Sequence, residues 1–263
     1  MTPKSLLLQA VCDKARLRRL SPRTLRAYVG WIRRFVRFHG RRHPRGLGEG
    51  EVAAFLNHLV LDRGVAPSTQ TQALSALLFL YEHVLGRPLG RLEELRWAKA
   101  RPRVPVVLTR AEVERVLAEL RGTPRLVAML LYGSGLRLLE CLQLRVKDVD
   151  LGRREIRVRD TKGGRPRVTV LPEVVRGPLA RHLSAVRRLH REDLVRGAGY
   201  VALPGALARK YPNAAREWVW QWVFPATRRQ VDRVTGERRR RHHLHASVVQ
   251  RAVKAAVGRS GIG

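Results

Sequence analysis

From Pro22 onward, Leu25, Tyr28, Val29, Ile32, Phe35 and Val36 recur three and four residues apart, the spacing that gathers them on one face of a helix. Ser21 before Pro22 offers an N-cap followed by a proline at the first helical position, and Gly40 marks the end. A second helix is expected over residues 50–62, with Val52, Phe55, Leu56 and Leu59 on one face and Gly64 as terminator. A third opens at Ser68 and carries Leu74, Leu77, Leu78 and Tyr81 toward Gly86, beyond which Pro88 cannot continue it. Residues 1–95 thus read as an all-helical bundle.

The apolar rhythm lapses over residues 96–106, where Pro102 and Pro105 sit among Arg96, Lys99, Arg101 and Arg103, the composition of a basic interdomain linker. Residues 107–263 then mix elements. Thr109 and Glu112 make a capping box for a helix ending at Gly122, and the apolar run Leu126 to Leu131 reaches the turn Gly133-Ser134-Gly135. Ile156 and Val158 alternate with Arg157 and Arg159. After Lys162-Gly163-Gly164 the alternation resumes at Val168 and Val170, so a hairpin with a Gly-Gly tip is expected. Ser247 and Gln250 form a second box ahead of a last helix through Val253 and Val257. The fold class is α+β: an N-terminal all-α bundle followed by a mixed α/β domain.

Charge sharpens this picture. The 263 residues hold 53 Lys+Arg against 21 Asp+Glu, a formal net charge of +32, and such a field attracts polyanions, of which nucleic acid is the commonest. The cations are 46 arginine to seven lysine; a GC-rich genome alone would raise arginine without leaving the acids so outnumbered. With 44% hydrophobic and 28% charged residues the chain is globular rather than disordered. No apolar run is long enough to span a bilayer and the N-terminus lacks a secretory h-region, so neither a membrane partner nor secretion is expected. Two cysteines, Cys12 and Cys141, are too few for a disulfide framework or a Cys-based zinc site, and fit a reducing cytoplasm.

The segment Leu131-Tyr132-Gly133-Ser134-Gly135-Leu136-Arg137-Leu138-Leu139-Glu140 resembles the Gly-x-Gly-Leu-Arg-x-x-Glu signature of the tyrosine recombinases, the phage-integrase superfamily. Its continuation Cys141-Leu142-Gln143-Leu144-Arg145-Val146-Lys147-Asp148-Val149-Asp150 is similar to the integron integrases within it. The chemistry suits the residues: an arginine fork takes two phosphate oxygens at once, and Glu140 one turn later can orient it. The resemblance makes the N-terminal bundle a SAM-like core-binding domain that clamps DNA, and residues 107–263 a partial catalytic domain. It also identifies Lys162 with the hairpin lysine, a general acid that protonates the departing 5′ oxygen, and places Arg165 beside it against DNA. The implied function is site-specific recombination, with DNA integration and cassette exchange through a phosphotyrosyl intermediate. No metal and no cofactor are needed, because the covalent intermediate keeps the bond energy. Full-length family members assemble as tetramers on DNA in the bacterial cytoplasm, nucleoid-associated when bound.

Residues 192–225 resemble the insertion of integron integrases, whose implied use is to recognise folded single-stranded hairpins through extruded bases. Trp218, Trp220 and Trp222 stand there at alternate positions among arginines, a composition that suits unstacked bases. The same spacing describes a strand burying one face. His242 and His243 follow Arg238 to Arg241, and the resemblance places one of them against DNA. With His245 they lack a nearby carboxylate or thiolate to complete a metal site. Ala246 stands where the family leads one to expect an acid. The family's His-x-x-Arg box and tyrosine nucleophile are not found in position: His39 to Arg42 is a decoy in the helical bundle, and Tyr28, Tyr81, Tyr132, Tyr200 and Tyr211 all lie ahead of the place expected for that box. A C-terminally truncated member is therefore expected, and whether the chain acts as an enzyme is left open. The alternative is a non-catalytic DNA-binding protein that occupies recombination sites. Truncation carries a structural expectation too: the apolar faces of Leu126 to Leu131 and of the Val253 and Val257 helix should lack part of their cover.

Overall fold

Ser21 does cap a helix: its Oγ accepts from the Thr24 amide at 3.0 Å, and the chain is helical over Pro22–Phe38 (α2). In the computed structural model, which describes residues 5–99, 106–159, 165–231 and 240–262, α2 belongs to the first of two compact units, Met1–Pro105 and Val106–Gly263. The first unit also holds α1 (Leu6–Leu17), α3 (Glu49–Leu61) and α4 (Pro67–Phe79), the last running on into a wide helical turn over Leu80–Val84. Ile32, Phe35, Val52, Leu56, Leu77 and Leu80 are fully or almost fully buried between these helices. Phe35 meets Phe55 and Tyr81 edge-on, with centroids 5.6 and 6.4 Å apart, the geometry aromatic quadrupoles favour. Tyr81 is buried whole. Its hydroxyl donates to the carbonyls of Leu47 (3.0 Å) and Pro44 (3.2 Å), and burial pushes its pKa up to about 12. His39 of the decoy motif stacks edge-on against Phe35, with its Nε2 3.0 Å from the Glu51 carbonyl.

Main-chain polar groups after α4 are satisfied by side chains rather than by a ladder. Gln70 is fully buried in α4; its amide donates to the Arg96 carbonyl at 2.8 Å and accepts from the Ala98 amide at 2.9 Å. Asn57 of α3 does the same for Glu94 and Arg96. Arg96 and Ala98, read above as the start of a linker, are thereby laced to the first unit.

In the second unit the Thr109–Glu112 box is present, Glu112 accepting from the Thr109 amide at 2.7 Å, and it opens α5 (Arg110–Glu119). There follow α6 (Gly122–Ser134), α7 (Leu138–Leu142) and an antiparallel sheet of β1 (Val149–Asp150), β2 (Glu155–Val158) and β3 (Arg167–Val170) in sequence order. The register pairs Ile156 with Thr169 and Val158 with Arg167, the expected hairpin; its tip, with Lys162, lies outside the described residues. The long α8 (Glu173–Val195) leads through the short α9 (Leu207–Lys210) and two tight helical turns to β4 (Pro225–Gln230) and β5 (Arg240–His243), an antiparallel pair, and then α10 (Ala246–Arg259). One sequence expectation is corrected here. α10 begins at Ala246, capped by the His245 ring rather than by Ser247, because the extended backbone of His245 turns its Nδ1 toward the Ser247 amide (3.2 Å). Of the two faces expected to lack part of their cover, α6 buries Leu126, Val127 and Leu130 with Ile156, Leu171, Val175, Phe224 and Val249 but leaves Met129 and Leu131 half-buried, and Val253 and Val257 of α10, packed around Val116, Leu120 and Ala256, are half-buried as well.

Asp193 fastens the far end of α8. It is buried and takes Nη2 of Arg241 at 3.0 Å and Nε of the same fork, while Arg241 also donates to the carbonyls of Ala226 and Thr227. Among the described residues no helix is long and apolar enough to cross a membrane.

Candidate active site

Gly135 closes α6 with φ +61°, the left-handed conformation glycine adopts without penalty. Gly133 is not part of a turn, as the sequence suggested, but of the last turn of α6. There a methyl group would run into Cγ of Pro172, so its lack of a side chain lets the loop before α8 lie against the helix. Thr169 of β3 donates to the Ser134 carbonyl at 2.8 Å, fixing the sheet to the same helix end.

Arg137 follows in extended conformation as the residue capping α7. Its amide donates to Oε2 of Glu140 at 3.0 Å and its Nη1 to Oε1 at 2.7 Å. Glu140 is almost wholly buried, with a side chain 4% exposed, whereas the Arg137 side chain is 63% exposed. A second arginine reaches the same carboxylate: Arg167, the first residue of β3, donates Nη2 to Oε2 at 2.7 Å and Nη1 to Oε1 at 3.1 Å. The Arg167 fork, helped by the amide and guanidinium of Arg137, holds the Glu140 pKa down at about 2 against the opposing cost of burial. The arrangement is an ionised, buried carboxylate presenting an exposed guanidinium, a geometry able to bind an anion such as a phosphodiester. Cys141, next in sequence, is fully buried and its thiol pKa is pushed up by desolvation, so it is no nucleophile.

Beside Glu140 opens a cleft of about 330 Å³, bounded by Arg145, Lys147, Arg157, Arg159, Pro204 and Trp220 among others. Arg145 donates Nη1 to the Trp220 carbonyl and Nη2 to that of Ala202, each at 2.7 Å, with its guanidinium 4.0 Å from the centroid of the Trp222 ring. The ammonium of Lys147 lies over the Trp220 ring at 2.9 Å, and desolvation lowers its pKa. The three tryptophans do not form a strand. Trp218 and Trp220 belong to a tight helical turn and are half-buried, whereas Trp222 is buried and donates to the Arg241 carbonyl at 3.3 Å. His243 is likewise buried, its pKa lowered by desolvation, and His242 is exposed. Of the residues assigned above to DNA, Trp222 and His243 are thus buried, Trp222 with an edge on the cleft, while Trp218 and Trp220 are half-buried and His242 is exposed. Arg165 is exposed at the start of the described part of the hairpin. The described residues contain no cluster of metal-ligating side chains. The sequence reading missed Arg167 and Arg145.

Comparison with known proteins gives these features a family. Residues 7–91 match the phage integrase N-terminal SAM-like domain and residues 106–263 match the phage integrase family. An integrase/recombinase of Escherichia coli is 46% identical over 256 residues, covering 97% of this chain and 76% of the relative. Tyrosine recombinase XerA of Thermococcus kodakarensis is 29% identical over 92% of this chain and 82% of its own. Among solved structures, a lambda integrase tetramer bound to a Holliday junction aligns with a TM-score of 0.59 at 15% identity, over 100% of this chain and 66% of that one. XerH bound to a palindromic difH substrate gives 0.56 at 17% identity, over 98% and 68%. At such identities the likeness concerns the fold alone. The chain belongs to the phage integrase family. Within that family its relatives make it a site-specific tyrosine recombinase.

Proposed function

We propose that this recombinase is of the integron integrase type, acting on DNA sites that include folded single-stranded hairpins. Its division of labour is a core-binding domain over residues 1–95, a basic linker over 96–106 and a catalytic domain from 107. Arg137 binds the scissile phosphate, Glu140 orients it, and Lys162 protonates the 5′ oxygen as that oxygen leaves phosphorus. Breaking that bond requires a tyrosine phenolate that attacks phosphorus and forms a 3′-phosphotyrosyl ester in its place, and none of the five tyrosines of this sequence is assigned as that nucleophile. Trp218, Trp220, Arg165 and His242 contact the DNA, Trp220 by stacking on an extruded base. The partner subunits are further copies of the same protein, gathered as a tetramer on DNA.

The observation that carries this reading is the exposed Arg137 guanidinium, fixed from beneath by an ionised, buried Glu140. The test is binding of the 263-residue chain to a DNA hairpin with one extruded base and to plain duplex of equal length. Affinity is expected to fall steeply with salt as counterions are released. Trp220→Ala should lose about 1–3 kcal/mol on the hairpin and much less on the duplex. A flat salt response overturns the DNA reading; equal losses on the two DNAs overturn the base-recognition part. Assignment of no tyrosine favours a second reading, a DNA-binding protein that occupies sites without cutting. Incubation with a suicide substrate separates them: a protein–DNA band that survives denaturation rejects the second reading and obliges one of the five tyrosines to act.

A further inference from the structure

Arg167 is the cation that holds Glu140 most firmly. Both of its terminal nitrogens face both carboxylate oxygens, at 2.7 and 3.1 Å, while Arg137 reaches Oε1 through a single nitrogen. It also stands at a junction. As the first residue of β3 it pairs with Val158, so its backbone is fixed in the hairpin that carries Lys162, and its Nη2 lies 3.5 Å from the Gly135 carbonyl at the end of α6. We infer that Arg167 is a positioning residue for the recombination site: by gripping Glu140 it sets the orientation of the Arg137 guanidinium and ties the hairpin to it. The inference rests on the reading of Arg137 as the phosphate ligand.

The physical argument concerns freedom of rotation. Arg137 bonds one oxygen through Nη1 and the other through its main-chain amide, so its guanidinium itself has a single hold on the carboxylate; a second, planar fork bonded in parallel to both oxygens stiffens the plane of the carboxylate, and the Arg137 guanidinium inherits that direction. Arg167 shares its charge with a buried carboxylate at short range, so its own attraction for a phosphate is largely neutralised. The Arg137 guanidinium makes a hydrogen bond to Glu140, and more than half of its side chain is open to solvent. The arrangement thus separates two tasks that a pair of equally exposed arginines would share: one cation binds and the other aims. A lysine at 167 would keep the charge but lose the fork.

The test is a double-mutant cycle on binding to a short DNA duplex at fixed salt, with wild type, Arg137→Ala, Arg167→Gln and both together, and Arg167→Lys as a fifth variant. Positioning predicts that Arg167→Gln weakens binding about threefold or more, within the range of couplings found inside one ion-pair network, and that this loss disappears when Arg137 is already alanine. Arg167→Lys should be as weak as Arg167→Gln. Thermal melting of each variant keeps folding separate from function, and loss of binding that merely follows loss of fold, equal in both Arg137 backgrounds, rejects the inference. Losses that add, with Arg167→Lys restoring affinity, mean that Arg167 touches phosphate itself and overturn it. If Arg137→Ala leaves affinity unchanged, the reading of Arg137 fails first. Even then, tightened or unchanged binding by Arg167→Gln counts against the role assigned to Arg167.

Discussion

The two units keep their chains folded by different means. Among described residues of the first unit the buried polar side chain is Gln70, an uncharged amide, while the core of that unit is built of apolar side chains such as Ile32, Phe35, Leu56 and Leu77. The second unit buries Glu140, Arg145, Asp148, His190, Asp193, Gln221 and His243, four of them carboxylates or guanidinium. An apolar interior is stabilised by area removed from water and tolerates rearrangement; a buried ion is stabilised only by partners at fixed distances and angles. The contrast teaches where this molecule needs geometry rather than mere cohesion. The unit that carries the Gly-x-Gly-Leu-Arg-x-x-Glu segment is the one that accepts the desolvation cost of pinning charged groups in place.

The comparison can be broken most severely at Asp193. Removing it in Asp193→Ala leaves Arg241, only 12% exposed, without its carboxylate, and breaking a buried pair of this kind costs about 3–5 kcal/mol. Hydrogen exchange should show protection lost throughout residues 106–262 while residues 5–99 keep theirs; equal loss in both units would mean that the two are one cooperative body. A smaller effect is expected from Gln70→Ala, the corresponding deletion in the first unit. Its orphaned partners, the Arg96 carbonyl and Ala98 amide, can turn to water, so about 1 kcal/mol is at stake, the usual net value of a hydrogen bond. Denaturant unfolding measures it, and a loss as large as that of Asp193→Ala would erase the distinction.

The gentlest probe is acid. His182, His190 and His243 all have pKa values lowered below the ordinary 6.5, burial being the largest cause in each. An unfolded chain takes up protons that these rings refuse when folded, so the stability they contribute is full above pH 6.5 and declines as the pH falls below it. Glu140 adds a second loss at lower pH. Its carboxylate is held at about 2 against an ordinary 4.5, so its contribution is present above pH 4.5 and drains away toward pH 2. The melting temperature of the second unit should therefore decline gradually from pH 7 to 5 and more steeply below 4.5. A melting temperature that rises on acidification to pH 5 would contradict the burial of these imidazoles.

What could be read from the sequence follows the range of the interactions concerned. The caps at Ser21 and at Thr109–Glu112, three residues from their partners, were legible, as were the strands on either side of the hairpin. The longest helix, α8, was not. Gly177 and Pro178 interrupt its early turns, and its buried face runs Val175, Leu179, Val186, His190, Asp193, ending in two polar residues whose suitability depends on partners elsewhere. α1 was missed for a related reason: Leu8, Val11 and Ala15 face the core, but Leu6 and Leu17 point outward and blur the stripe. At the site the same rule separates the arginines. Arg137 meets Glu140 three residues away and belongs to a recognisable segment. Arg167 meets it across 27 residues, and Arg145 reaches its carbonyls across 57 and 75. Neither pairing leaves a local pattern in the sequence.

Arg145 has a bearing on which parts of the molecule can be exchanged. Its fork holds the long connection after α8 at two places through the carbonyls of Ala202 and Trp220, and it lies against the Trp222 ring. Every amino acid supplies a carbonyl, so these two bonds are indifferent to the residues at them. Two buried side chains of the connection are not interchangeable: Gln221 donates to the carbonyls of Gly199, Ala215 and Glu217, and Trp222 donates to that of Arg241. The connection behaves as a cartridge seated by these three residues, and its other side chains can be rewritten for a different ligand while they keep it in place.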